Sequence, residues 1–193
     1  METMSTAKRR EALVAMLKDP VEEVRVAAAH ALERLEGVGS LEEVLGLLKK
    51  GDLVTKIKAI YALGQIGGDK VLSPLIYCIS RPEEDIKAAA IEVLGKLARP
   101  GSLGPLTEKL QETNPALQAQ TIAALGNFRD PGLAPMLAPF LDANDGLLDA
   151  EAARALGRIG TASYEEKLIS LLSSPHPATR EAAAFALGEL QVS

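Results

Sequence analysis

The chain has 193 residues, 47% of them hydrophobic and only 3% aromatic, with a net charge of -5 at pH 7. Its length and apolar content suffice for a sizeable domain with its own core. The acidic balance argues against nucleic-acid binding, which draws its affinity mostly from Lys and Arg, and a single cysteine excludes an intramolecular disulfide and a cysteine-rich zinc site.

The first 50 residues show helical spacing of apolar side chains. The segment 5–18 contributes Leu13 and Leu17, and two longer stripes follow it: Val24, Ala28, Leu32 and Leu35, then Leu41, Val44, Leu45 and Leu48. Between the stripes, the stretch 37–40 (GVGS) predicts a turn, with Gly at the helix stop and Ser40 opening a capping box. Residues 19–49 are therefore predicted to form a longer helix A, a turn and a shorter helix B.

This pattern returns every 31 residues without an insertion or deletion. One row of helix A positions reads Leu32, Leu63, Leu94, Leu125, Leu156 and Leu187. Twelve residues later, a helix B row reads Val44, Leu75, Leu106, Leu137 and Leu168. The register predicts a half unit at 5–18, full units at 19–49, 50–80, 81–111, 112–142 and 143–173, and a half unit at 174–191.

Turn-forming residues mark the boundaries between units, at 19–20, 51–52, 81–82, 114–115, 144–146 and 174–175. A second capping box is predicted at Ser163, where helix B of the fifth unit begins. A single helix pair cannot bury both of its faces, whereas stacked neighbours can. We therefore expect one all-α solenoid over residues 1–193.

The repeated phrase ALGQIG at 62–67, copied as ALGRIG at 155–160 and followed by a helix B of the form LxxLxxxL, resembles HEAT repeats. The nearest type is the short bacterial form of phycobilisome-lyase-like proteins. The resemblance implies a right-handed α–α superhelix of the HEAT/armadillo kind. Val24, Arg25 and Asp19 match that family's pattern, but the later units depart from it, so no ladder of Asp–Arg pairs between units is expected.

The glycine of the repeated phrase calls for a reason, because Gly inside a helix costs about 1 kcal/mol relative to Ala. Gly64 and four of its five counterparts at 31-residue spacing are Gly. A phosphate-binding loop would need a strand-to-helix turn and usually a Lys, and neither is present. We expect instead that the missing side chain lets a neighbouring helix approach closely.

The few residues suited to catalysis do not form a motif. The two histidines, His30 and His176, are expected on an outward face and in a loop, and neither belongs to an HExxH sequence. Cys78 aligns with a partly buried position and has no neighbouring cation in sequence, so we expect it to pack. The sequence thus predicts no enzyme, no cofactor and no metal. The alternative is an accessory subunit of an enzyme complex such as a chromophore lyase, with catalysis on a partner chain.

Membrane and export signals are equally weak. No apolar run approaches the roughly 20 residues that a spanning helix needs, and the apolar run after Glu11 is shorter than the core of a signal peptide. We expect a cytoplasmic protein that binds neither nucleic acid nor a membrane.

Binding of a protein or peptide remains, and we expect it on the concave face lined by the B helices. Two surface rows vary there while the core rows repeat, as where specificity rather than packing is encoded. The opposing interpretation is an ordinary mixed surface without a dedicated partner. The candidate partner-binding residues are Glu43, Pro74, Tyr77, Pro105, Glu108, Met136, Pro139 and Lys167.

Two local features add further predictions. Pro139 removes a backbone N–H from the interior of a helix B, at a cost of about 3 kcal/mol, so that helix should be kinked or shortened. Leu187 and Leu190 would lack a neighbour at the C-terminal edge, so either the sequence is part of a longer chain or this edge packs on another molecule. We therefore expect self-association through the C-terminal edge.

Overall fold

All regular structure in the described part of the chain is helical, which confirms the all-α class. The computed structural model describes residues 4–160 and 162–190, apart from the side chains of residues 4–6, 26, 29, 30, 33, 34 and 36–40. It separates into two compact units, Met1–Ile66 and Gly67–Ser193. The single continuous solenoid and its handedness stay predictions.

The N-terminal unit contains three helices: α1 (Met4–Met16), α2 (Glu22–Lys50) and α3 (Leu53–Ile66). The turn predicted at residues 37–40 is wrong, because α2 is one helix of 29 residues that runs through it. The two glycines cost about 1 kcal/mol each inside a helix, but the stretch holds no proline, which would break it. Ser40 therefore starts no helix, and its side chain lies outside the described ones.

The C-terminal unit alternates helices of type A and type B, as predicted. Its A helices are α5 (Glu84–Leu97), α7 (Pro115–Gly126), α9 (Leu148–Ile159) and α11 (Pro177–Glu189). Its B helices are α4 (Leu72–Cys78), α6 (Leu103–Glu108), α8 (Ala134–Leu137) and α10 (Glu165–Leu171). Each A helix packs on the next A helix, and each B helix packs on the A helix that follows it.

Left-handed residues end the A helices of this unit. Ala98, Arg129 and Gly160 have φ of 44°, 51° and 75° and separate each A helix from a short 3-10 turn. Prolines then start two of those turns, at Pro100 and Pro131, where their fixed φ suits a helical start. These residues make the A–B break that the stretch 37–40 lacks.

The capping box predicted at Ser163 is wrong. Ser163 lies inside the 3-10 turn Ala162–Tyr164, and Tyr164 occupies the N-cap position of α10 without a side-chain hydrogen bond. The 3-10 turn leads directly into α10, so helical backbone already precedes it and the capping geometry of an extended N-cap residue does not arise.

The core follows the 31-residue register. Leu63, Leu94, Leu125 and Leu156 of the helix A row are fully buried, and so are Leu75, Leu106, Leu137 and Leu168 of the helix B row. Burying a leucine side chain contributes about 1.5–3 kcal/mol. Within each unit, these two rows supply most of the stabilising apolar contact.

One polar position also recurs, just inside each A helix. Arg25 Nη1 donates to the carbonyls of Asp19 and Pro20, and Arg180 Nη1 donates to the carbonyls two loop positions further along in its own unit, 2.8 and 3.1 Å away. These arginines thus tie a helix to its own preceding loop. Asp149 holds the same position in α9, where it is 1% exposed and its Oδ2 has no hydrogen-bond partner among the described residues.

Candidate functional site

The predicted partner-binding residues of the C-terminal unit lie on or next to successive B helices. We call this set the B face: Pro74 and Tyr77 on α4, Pro105 and Glu108 on α6, Met136 on α8, Pro139 in the turn after it, and Lys167 on α10. Glu43, the eighth predicted residue, is exposed on α2 of the N-terminal unit and is not included in this set.

Two large apolar side chains of the B face are open to solvent. Tyr77 is 61% exposed and Met136 is 45% exposed, although Leu75 and Leu137 beside them in sequence are fully buried. Glu108 and Pro139 are also exposed, and Pro74 and Pro105 are half-buried. Aromatic and Met side chains are enriched at protein interfaces, so the exposure leaves suitable contact groups available.

Arg81 belongs to this site, although the sequence analysis missed it. Its Nη1 donates to Tyr77 Oη at 3.1 Å, its guanidinium carbon lies 5.7 Å from the Tyr77 ring centroid, and its Nη2 donates to Glu83 Oε1 at 3.0 Å. The hydrogen bond to Glu83, and then that to Tyr77, raise the pKa of Arg81. The signal was available, because residues four apart are neighbours on a helical surface.

Lys167 is partly engaged at the other end of the B face. Its Nζ makes an ion pair with Asp142 Oδ1, at the end of the turn that follows α8. An exposed pair of this kind contributes about 0–1 kcal/mol. Lys167 could therefore exchange Asp142 for a carboxylate of a partner at little cost.

The predicted shortening of helix B at Pro139 is confirmed. The α-helical part, α8, has four residues and ends at Leu137, and the chain continues as the 3-10 turn Ala138–Asp142. The missing N–H of Pro139 is thus accommodated by a change of helix type. The B face consequently has its shortest α-helix at Met136.

The residues considered for chemistry have packing or loop positions. Cys78 is 2% exposed in the core. His176 precedes α11, and its Nε2 lies 3.2 Å from the carbonyl oxygen of Asn144, which joins two successive boundary loops. The side chain of His30 lies outside the described ones. In residues 4–160 and 162–190, no three His, Cys, Asp or Glu side chains cluster closely enough to hold a metal ion.

The glycines of the repeated phrase have the packing role that the sequence predicts. A Cβ on Gly95, Gly126 or Gly157 would lie 2.5–2.8 Å from an alanine of the next A helix. The alanines are Ala124, Ala155 and Ala186. Real Cβ atoms essentially never come that close, so only Gly fits without moving a helix.

A pocket that the sequence analysis did not identify lies at the ends of the last A helices. Its volume is about 400 Å³. Arg158 Nη1 reaches Asn127 Oδ1 at 3.5 Å there, which is the limit of a hydrogen bond. The pocket is lined by Arg129, Gly157, Arg158, Ile159, Gly160 and Glu189.

None of the helices in the described ranges is both long and apolar enough to cross a bilayer. The structure thus contains no spanning segment in the part of the chain that it describes.

Solved structures of similar architecture are designed proteins. An engineered protein from a structural genomics consortium is 22% identical, with a TM-score of 0.57 over 93% of this chain and 95% of its own. A designed armadillo repeat protein is 20% identical, with a TM-score of 0.57 over 93% of this chain and 99% of its own. Another, computationally designed for modular peptide recognition, is 17% identical, with a TM-score of 0.54 over the same shares.

At these identities the likenesses show the fold, which is the helical repeat fold of armadillo and HEAT proteins. Among curated proteins, none matches the sequence. The family model described as HEAT repeats matches residues 10–85, 72–152 and 134–192, which together span most of the chain. With its 31-residue helical units, its glycine-mediated packing of A helices and this match, the chain belongs to the HEAT-repeat family.

Proposed function

We propose that the chain is a protein-interaction scaffold whose B face binds a partner protein or peptide. The observation that carries this proposal is the exposure of Tyr77 and Met136 on short helices whose neighbouring leucines are fully buried. Large side chains with few rotamers and large contact areas supply binding energy at low entropic cost. The partner would cover both.

The groups around Tyr77 favour a particular partner chemistry. Arg81 stays charged beside the ring and is 36% exposed, so it can donate to a carboxylate. Tyr77 and Met136 offer apolar contacts, and Glu108 would disfavour an acidic side chain at its own position. We infer a partner segment with an apolar residue for Tyr77 and an acidic residue next to it, for Arg81.

The scaffold would act by rigid presentation. The B helices sit on A helices that are locked to one another by the Gly–Ala contacts. A surface held in one conformation loses little freedom on binding, which favours affinity. The designed armadillo neighbour made for modular peptide recognition supports peptide binding as a use of this architecture.

A peptide-display selection on the wild-type chain, followed by affinity measurement, tests the proposal. The double variant Tyr77→Ala, Met136→Ala should weaken a selected peptide by about 30-fold or more, as at interface hot spots. The matched control, Phe185→Ala with Leu147→Ala, removes an aromatic and an aliphatic side chain of 45% and 42% exposure away from the B face. Equal affinities for wild type and the first double variant would refute the site.

An accessory subunit of an enzyme complex, such as a chromophore lyase, is the second candidate. Resemblance to the short bacterial form of HEAT repeats supports it. In both cases we propose that the chain itself is not an enzyme, holds no cofactor, binds no nucleic acid or membrane and works in the cytoplasm. Reconstitution separates the two functions, since an accessory subunit raises turnover by its partner enzyme and a simple scaffold leaves it unchanged.

Self-association through the C-terminal edge is a separate part of the proposal. Ile169 and Leu172 there are 50% and 41% exposed. Exposed apolar side chains grouped at one end of a repeat array favour contact with another molecule. We take that molecule to be a second copy of the chain.

A further inference from the structure

The junctions between A helices in the C-terminal unit all use one contact. Gly95 meets Ala124, Gly126 meets Ala155, and Gly157 meets Ala186, always 29 residues apart. Each A helix therefore offers a glycine on one side and an alanine on the other. A surface that carries an uncovered copy of either half indicates what would fit against it.

The outer face of α11 carries the glycine half of this contact and is open. A Cβ on Gly188 would meet nothing within 4 Å, unlike those on its three counterparts. Ala184 is exposed on the same face, whereas its counterpart Ala153 is fully buried. On the neighbouring B helix, Leu172 is 41% exposed, against 2% for its counterpart Leu141. No described residue covers this edge.

The first turns of α2 carry the matching alanine half. Ala31 stands five periods before Ala186, the residue that meets Gly157. Val24 and Ala27 on the same helix are exposed, whereas Thr179 and Ala182, five periods later, are fully buried between α9 and α11. The start of α2 thus has the residues of a docking face without its docked neighbour.

Charge at the two edges is complementary. The C-terminal edge exposes Glu181 and Glu189, while α1 exposes Lys8 and Arg9 near its start. The one cation near Glu181 on α11, Arg180, is bound to carbonyls of its own loop. Opposite charges facing each other speed encounter and favour one orientation.

We propose that two copies of the chain associate head to tail in the 31-residue register. Residue n of the second copy then stands where residue n + 186 would be, six periods on. This places α1 next after α11 in the position of a helix B, and Ala31 against Gly188. The inference rests on the proposed self-association and gives it an orientation. Because the two surfaces differ, each copy keeps one free edge, and larger oligomers grow as concentration rises.

Sedimentation velocity over a concentration series tests the contact. Gly188→Leu places a side chain in open space, so the chain still folds, but the leucine separates the two copies. We expect it to weaken self-association by about tenfold or more, as an overpacked contact does. Gly104→Leu is the control, since it also points into open space, on α6 and away from both edges.

A mixing experiment tests the orientation. Gly188→Leu blocks the C-terminal edge and Ala27→Arg blocks the start of α2, so each variant alone should sediment as a monomer. Mixed, they share one intact edge of each kind and should form a one-to-one dimer that grows no further. A wild-type chain that stays monomeric would overturn both self-association and the head-to-tail contact. Self-association insensitive to Gly188→Leu, or a mixture without dimer, would overturn only the head-to-tail contact.

Discussion

The two compact units use the same 31-residue hydrophobic register but differ in local structure. In the N-terminal unit, residues predicted to form helix A, a turn and helix B make the single helix α2. In the C-terminal unit, each A helix ends at a left-handed residue before its B helix begins. The spacing of apolar residues thus decides which side chains face inward, whereas prolines and left-handed residues decide where a helix stops.

The largest expected effect tests the continuity of α2. Val38→Pro should destabilise the chain by about 3 kcal/mol, because proline inside a helix removes a hydrogen bond and clashes with the preceding turn. Urea denaturation followed by circular dichroism measures it, with Val38→Ala as a control that a helix accepts. If the proline variant is as stable as the control, residues 37–40 form a turn and the two units are alike.

The next effect concerns the junctions of the C-terminal unit. Gly126→Ala should cost about 2 kcal/mol, since the new methyl would lie 2.8 Å from the Ala155 Cα and overpacking costs about 1–3 kcal/mol. Gly188→Ala, which meets open space, should be neutral or slightly stabilising. Thermal unfolding of both variants measures the difference. Similar melting temperatures would show that A helices in this unit are not in close contact.

A smaller effect of opposite sign is expected at a buried hydroxyl. Thr179 Oγ1 has no hydrogen-bond partner in the part of the chain that is described, although the residue is fully buried. Thr179→Val should therefore stabilise the chain by about 1 kcal/mol. Thr121→Val is the control, because Thr121 Oγ1 donates to the Leu117 carbonyl at 2.8 Å and its loss should destabilise. Chemical denaturation curves of the two variants should move in opposite directions.

The smallest effect is a pH dependence confined to the C-terminal unit. Hydrogen bonds from Lys109, and then from Lys87, hold the pKa of Glu112 below its usual value of 4.5. A depressed pKa contributes stability above the unfolded value, and this contribution is lost as the pH falls through the folded one. Glu112→Gln should therefore narrow the stability difference between pH 7 and strongly acidic solution. Parallel acid titrations of wild type and variant would show no difference if the two lysines did not hold the carboxylate.

Much of the fold follows from the periodicity alone. The buried rows around Leu94 and Leu106, the boundary loops and the shortened helix at Pro139 are all as predicted. The continuity of α2 could not be predicted, because two glycines weaken a helix without breaking it. Ser163 misled for another reason: a capping sequence is only a preference, and the 3-10 turn before α10 leaves it unused.

The candidate site was predictable to a lesser degree. The row that contains Tyr77 and Met136 was identified because its residues vary where the core repeats, and both are exposed. Their function stays a prediction. Arg81 was missed because it lies in a boundary turn in the sequence, and only the end of α4 brings its guanidinium to the Tyr77 ring. Side-chain pairing across a helix end depends on backbone direction, which the apolar period does not specify.

The Gly–Ala contact has a consequence for the length of the array. Every junction of the C-terminal unit joins a glycine to an alanine 29 residues later, so the unit 112–142 can be taken out as a block. Gly95 would then face Ala155 across the same kind of junction that it now makes with Ala124. Length in this protein is therefore an adjustable quantity: adding or removing whole units changes how many B helices are available to a partner without requiring a new interface.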